Sequence, residues 1–339
     1  MLPRSLPSPR LIPYESVKSL RWGIIGPGGI AEIFADAVHK HTNQRIVAVA
    51  SQTPGRAEAF AAARGIEIAL DSYEALVARP DIDVVYVATH PQHHRAHAEL
   101  AIAAGKHVLI EKPAVLSAHE ARTLDEIAVA RKLVLMEAWW YRFHPLVQSL
   151  RQLVDSNTLG AIRHISSSFS YVNSDPNDSR WKVELGGGAL NDMFSYHIDF
   201  LNYVMGIQNR DVDLIQAFSS SQHGVDASIA AELITNKGVV CNFMAGLNRP
   251  SLCKTFILGE KGSVEIPHLR IMPEFSEVSY THYSSLGVQT IKFPASNAYS
   301  LMLDAFAIAC LNNGESPVKP EDTIANTELL ERIKAARDE

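Results

Sequence analysis

Cysteine is scarce. The three present in 339 residues, Cys241, Cys253 and Cys310, lie far apart and inside apolar patterns. That argues against a disulfide frame and for buried free thiols in a reducing, cytoplasmic setting. No apolar run is long enough to cross a bilayer, so no membrane partner is expected. Basic residues do not dominate either. Lys and Arg number 31 against 37 Asp and Glu, giving a net charge of −6, and no basic stripe forms, which excludes a nucleic-acid footprint. Repeats and low-complexity segments are missing. The first 19 residues carry Pro3, Pro7, Pro9 and Pro13 but no apolar core of a signal peptide. They read as part of an irregular arm over residues 1–20. What remains is ordinary globular sequence, 47% hydrophobic, and long enough for two domains.

The pattern organises around Lys106-His107-Val108-Leu109-Ile110-Glu111-Lys112-Pro113. A helical stretch ends at Gly105, and a buried strand then ends in a carboxylate, an amine and a proline. Ligands of open α/β sheets bind outside the carboxyl ends of the strands. A lysine beside such a low-dielectric wall can act as a proton-active group. Lys112 is therefore the expected chemical centre.

Upstream, Arg21 to Gly26 reads as a strand running through Gly26-Pro27-Gly28-Gly29-Ile30-Ala31 into a helix. Gly26, Gly28 and Ala31 have the G-x-G-x-x-A spacing of a dinucleotide fingerprint, with the pyrophosphate on the helix N-terminus. Gly26, Gly28, Gly29 and Ile30 are the candidate contacts. A second strand, Arg45–Ala50, ends at Ser51-Gln52, where NAD enzymes usually carry an acid for the ribose hydroxyls. A small hydroxyl at Ser51 leaves room for a 2′-phosphate, and Arg56 could supply charge. The alternative makes Arg56 a plain first-turn helix residue. The balance favours NADP over NAD. Further strands near 66–69, 83–88 and 133–136 alternate with helices and predict a doubly wound parallel sheet. Thr89, His90, His94, Glu111 and Lys112 complete the candidate cofactor residues. His90, His93, His94 and His97 lack the carboxylate or cysteine that a metal set needs, so no metal is expected.

After Met136, aromatic and charged residues crowd together, and Trp140 and Arg142 become candidate substrate contacts. A polar loop over 173–180 precedes Gly186-Gly187-Gly188-Ala189-Leu190-Asn191-Asp192. The glycines allow close backbone approach, and the helix after them points its N-terminus at whatever lies in front. On that helix Asp192 and Tyr196 share a face, where a carboxylate can bind a hydroxyl and a phenol can relay a proton. His197, one step round, is a further substrate candidate. From Leu214 the pattern is strand-like and antiparallel, with helices at 298–312 and 320–336.

Lys106 to Pro113 and Gly186 to Asp192 resemble the glucose–fructose oxidoreductase and inositol dehydrogenase family. Met136-Glu137-Ala138 with Tyr141-Arg142-Phe143-His144-Pro145 resembles its dimeric dihydrodiol dehydrogenase and xylose dehydrogenase branch. The resemblance implies an α/β protein. A Rossmann domain, 21–140, would be followed by a C-terminal α/β domain, 141–339, with a large, mostly antiparallel open-faced sheet. It also implies a homodimer or dimer of dimers through that sheet. The implied reaction moves hydride between nicotinamide and a carbinol of a sugar, cyclic polyol or trans-dihydrodiol. Lys112, Asp192 and Tyr196 match the family's catalytic positions, and either Tyr196 or Lys112 is the proton carrier. His90 and His197 stand where the family commonly has proline. The family also holds non-catalytic cofactor-binding regulators and glycosidases that use NAD transiently. Retention of Lys112, Asp192 and Tyr196 together argues against the first of these.

Overall fold

Strands that are apolar on both faces need helices on both sides, and the alternation of this chain supplies them. The computed structural model describes residues 16–267 and 276–338. These fall into two units. One holds the described residues through Trp140 together with Asn297–Ile324, and the other holds Tyr141–Ser296 and the chain from Ala325.

In the first unit β1 (Arg21–Ile25), β2 (Arg45–Ala50), β3 (Ile68–Leu70), β4 (Val84–Val87), β5 (His107–Ile110) and β6 (Leu135–Glu137) form one sheet in the order β3-β2-β1-β4-β5-β6. Every pairing is parallel. Helices α1 (Gly29–His41), α2 (Arg56–Arg64), α3 (Tyr73–Val77), α4 (Pro91–Ala103) and α5 (Ala118–Ala130) join successive strands. β4 is buried along its whole length. Ser72 and Ser117 cap α3 and α5 by accepting from the Ala75 and Glu120 amides. The strand order reverses between β1 and β4, the switch point at which doubly wound sheets bind ligands.

The second unit begins with α6 (Pro145–Asp155) and β7 (Ile162–Val172). A π-helical turn, Leu190–Phe194, runs into α7 (Ser195–Tyr203). Then follow β8 (Val212–Gln222), β9 (Val225–Thr235), β10 (Val240–Gly246), β11 (Asn248–Gly259), β12 (Gly262–Ile266), β13 (Val278–Ser284) and β14 (Gly287–Phe293). Their order with β7 is β14-β13-β12-β11-β7-β10-β9-β8. The β7–β10 pair is parallel and the others are antiparallel. One face buries Ile165, Leu233, Cys241, Phe243, Ile257 and Val264, while Leu214, Phe218, Leu258 and Val288 stay exposed on the other. This is the open-faced sheet the family resemblance implies. β13 was not apparent from its sequence, because Ser, Thr and His conceal the alternation that buries Val278, Tyr280 and His282.

One expected boundary needs correction. Of the last helices, α8 (Ala298–Asn312) and α9 (Pro320–Asp338), α8 belongs to the first unit. Phe306 lies 5.7 Å from Trp22, which meets Phe34 edge-on at 5.4 Å. α8 is apolar nearly all round, so it must be buried, and the flank of the parallel sheet buries it. The C-terminal domain is therefore not the continuous 141–339. The arm expected over 1–20 lies outside the described residues up to position 15. Val17 and Leu20 are already buried, and the Leu20 amide donates to Gln44 Oε1 at 3.0 Å. Among the described residues, no helix is long and apolar enough to cross a membrane.

Candidate active site

In the first unit the glycine turn is built for close approach. Gly26 has φ +92°, and a Cβ there would lie 2.7 Å from the Thr89 methyl and 3.0 Å from the Ala88 carbonyl. Gly28 opens α1 without any side-chain cap, which leaves the helix's first amides available to an anion. Space is open in front of Gly29. Ile30 follows in the first turn. Arg56 Nε donates to the Pro27 carbonyl at 3.1 Å, which lays the guanidinium across this turn. Ser51 is buried at the end of β2, and its hydroxyl accepts from the Thr53 amide at 3.1 Å. Gln52 is exposed. An uncapped helix behind a glycine turn, flanked by a guanidinium, fits a dinucleotide phosphate.

The end of β4 is tied to the turn after β5 by His94. Its ring nitrogens lie 2.9 Å from the Thr89 and Pro113 carbonyls. Burial pushes this imidazole down to about 4, so it is neutral and donates to one carbonyl at a time. Thr89 Oγ1 meets His97 Nδ1 at 2.9 Å, and His90 supplies the N-cap position of α4. Among the described residues, no group of three or more His, Cys, Asp or Glu is arranged to hold a metal ion.

Two buried carboxylates shape the turn that carries Lys112. Glu111 accepts from the Tyr86 hydroxyl at 2.6 Å and from the Lys112 amide at 3.1 Å. Burial raises its carboxyl to about 7. Glu137 accepts from the Ala114 amide at 2.9 Å and the Thr323 hydroxyl at 2.7 Å. Lys112, joined to Pro113 by a cis peptide, is half-buried between them in sequence. Glu111, counted above among cofactor contacts, points inward and acts on the backbone. Glu137 was overlooked in the sequence, although a carboxylate at the end of an apolar strand marked it. Trp140 stacks on Tyr299 with ring centres 5.2 Å apart.

In the second unit, Asp192 sits in the π-helical turn and Tyr196 one turn on, in α7. Tyr196 is buried between Tyr141, at 5.6 Å, and the edge of Phe169, at 5.9 Å. Arg180 Nε donates to Asp192 Oδ2 at 2.7 Å. The Asp192 charge raises the Arg180 pKa above its ordinary value. This pair is not legible in the sequence, because twelve residues separate the partners.

Two expected substrate contacts are corrected. Arg142 is buried in an ion pair with Asp199, which also accepts from the Tyr141 hydroxyl at 2.6 Å and Asn326 at 2.8 Å. Its guanidinium lies 4.4 Å over the Tyr203 ring. His197 is fully buried, stacks on Phe243 at 5.1 Å and meets the Met244 carbonyl at 3.0 Å. Both hold the second unit together and present no accessible surface to a substrate. The close backbone approach expected of the triple glycine is made by the protein's own chain. A Cβ at Gly187 would lie 2.5 Å from the Arg180 carbonyl, and one at Gly188 would collide with Asp226. These glycines make room for the protein's own chain.

A dinucleotide cradle with a lysine at a neighbouring strand end defines an NAD(P)-binding oxidoreductase. Residues 20–138 match the family model for an oxidoreductase family with an NAD-binding Rossmann fold, GFO/IDH/MocA, and residues 147–265 match the GFO/IDH/MocA C-terminal domain. Over 322 residues the chain is 32% identical to the trans-1,2-dihydrobenzene-1,2-diol dehydrogenase of Mus musculus, covering 93% of this chain and 95% of that one. It is 30% identical to the dTDP-3,4-didehydro-2,6-dideoxy-alpha-D-glucose 3-reductase of Streptomyces violaceoruber, covering 89% and 88%. The structure superposes with a TM-score of 0.88 on KijD10, a 3-ketoreductase from Actinomadura kijaniata in complex with NADP and TDP-benzene, at 26% identity and covering 94% and 98%. The chain belongs to the GFO/IDH/MocA oxidoreductase family. It is an NAD(P)-dependent oxidoreductase.

Proposed function

We propose that the protein interconverts a secondary alcohol of a cyclic diol or sugar and the corresponding ketone, using NADP(H). The observation that carries this reading is the turn after β5. Glu111 and Glu137 hold its backbone amides, which fixes the backbone that carries Lys112 at the carboxyl end of a parallel strand. The nicotinamide supplies hydride transfer when bound. Tyr196 takes the carbinol proton, Lys112 provides the positive charge that lowers the cost of that transfer, and Asp192 orients the substrate hydroxyl. Lys112 as the direct base is the alternative assignment. The dihydrodiol and dideoxysugar substrates named for the two relatives both carry such carbon centres. Ser51 and Arg56, with no acid at the end of β2, support NADP over NAD. The open sheet supports assembly as a homodimer or a dimer of dimers, and the three buried thiols support a cytoplasmic setting.

The test is a screen of trans-1,2-dihydrobenzene-1,2-diol, aldoses and cyclic polyols with NADP⁺ and NAD⁺, read at the nicotinamide absorbance. Turnover of at least one diol or sugar, faster with NADP⁺, is expected. A tightly copurifying cofactor with no net reduction on any of them would replace this reading with the transient-cofactor chemistry of a glycosidase.

A further inference from the structure

Arg180 stands in a short 3₁₀ segment, Ser179–Trp181, and clamps the helix of Asp192 in two ways. Its backbone carbonyl accepts from the Gly188 amide at 2.9 Å, and the missing side chain of Gly187 lets that carbonyl come close. Its Nε donates to Asp192 Oδ2 at 2.7 Å, and Nη1 lies 3.3 Å from both oxygens of Asp178. From the other side Asp226 accepts from the Leu190 amide at 2.6 Å and meets Arg337 at 3.4 Å. The first turn of this helix is thus fixed from both flanks, and the Arg180 side chain goes to the proposed substrate-orienting carboxylate.

Magnitudes separate a structural role from a functional one. The Arg180 side chain is 41% exposed and that of Asp192 is 21% exposed. A pair so open to water adds little to folding stability. Once a substrate displaces that water, the same pair interacts through a lower dielectric and its influence on the carboxylate grows.

We propose that Arg180 is a positioning residue for the oxidoreduction: it holds the Asp192 carboxylate in one orientation while the substrate hydroxyl binds. This rests on the role of Asp192 given under the proposed function. The test is a double-mutant cycle in kcat/KM with NADP⁺ and trans-1,2-dihydrobenzene-1,2-diol, or whichever carbinol in the screen is turned over. The variants are Arg180→Gln, Asp192→Asn and the two together, with Arg180→Lys as a milder change. Arg180→Gln should lower kcat/KM by about tenfold with the thermal midpoint nearly unmoved, and by less than about twofold in the Asp192→Asn background. Arg180→Lys, which keeps the charge and loses the fork, should give an intermediate loss that also vanishes in that background. It carries the cycle alone if the glutamine variant does not fold. An equal loss in both backgrounds would overturn the proposal and leave the role of Asp192 standing. Wild-type kcat/KM for Asp192→Asn would remove that role and this inference together.

Discussion

At the scale of the residue, chemistry concentrates where burial holds one group so that its neighbour can act. Lys112→Met keeps the strand end packed and deletes the amine. Turnover should fall by about 10²–10⁴-fold with NADP⁺ affinity nearly intact. Unchanged kcat would show that Lys112 is not the catalytic group. Ser51→Asp should move preference towards NAD⁺, since a carboxylate repels a 2′-phosphate and accepts from a ribose diol. Comparing the two cofactor affinities in wild type and variant checks this, and a wild type that already prefers NAD⁺ refutes it. Glu111 makes a pH prediction. Its carboxyl rises from 4.5 to about 7 on burial. Between those values the folded chain keeps a proton that the unfolded chain has released, so stability declines as pH rises through this window and levels off above it. Relative to wild type, Glu111→Gln should gain about 3 kcal/mol of unfolding free energy between pH 4.5 and about pH 8. Urea unfolding at several pH values measures the difference, and parallel curves for the two proteins would refute the account. Lys112 and Gly26 could be read from sequence because each sits in a contiguous pattern whose backbone demands are local. Arg142 and His197 could not. The sequence places them beside site residues, but it does not say that Asp199 and Phe243 wait for them in the interior.

At the scale of the element, periodicity told which segments are helices and strands more reliably than which unit they join. The span Ala298–Asn312 was legible to the residue as a helix. Its partner was not, because Trp22 lies far away in the chain and the apolar surface of α8 carries no address. Phe306→Ala should therefore destabilise the parallel-sheet unit, by about 3–5 kcal/mol. Hydrogen exchange would show the loss of protection in β1 and α1, and a loss confined to β8–β10 would contradict the placement. The π-helical turn at Leu190–Phe194 looks like ordinary helix in the sequence. Nothing in its sequence distinguishes a helical segment whose start is displaced by Arg180 on one side and Asp226 on the other.

At the scale of the whole molecule, the eight-stranded sheet leaves one face uncovered among the described residues. Of Val239, Val240, Phe243 and Met244, which the sequence suggests for that face, Val239 and Phe243 are buried, while Val240 and Met244 are half-buried and alternate onto it beside Leu214 and Phe218. The exposed apolar residues of that face include Leu214, Phe218, Leu258 and Val288, with Phe218 73% exposed. Pairing two such faces about a twofold axis buries both copies at once. We expect a homodimer or dimer of dimers with a total interface of roughly 2,000 Å² or more. Light scattering at micromolar concentration checks this, and a mass of 37.3 kDa would refute it. The return of Asn297–Ile324 to the first unit also bears on how the chain is made. On the ribosome, β1 to β6 emerge long before α8, so the Trp22 flank of the sheet waits in water while Tyr141–Ser296 of the second unit is synthesised. For that interval the nascent chain exposes an aromatic surface to chaperones and to other nascent chains, and only synthesis of Ala298–Asn312 closes it.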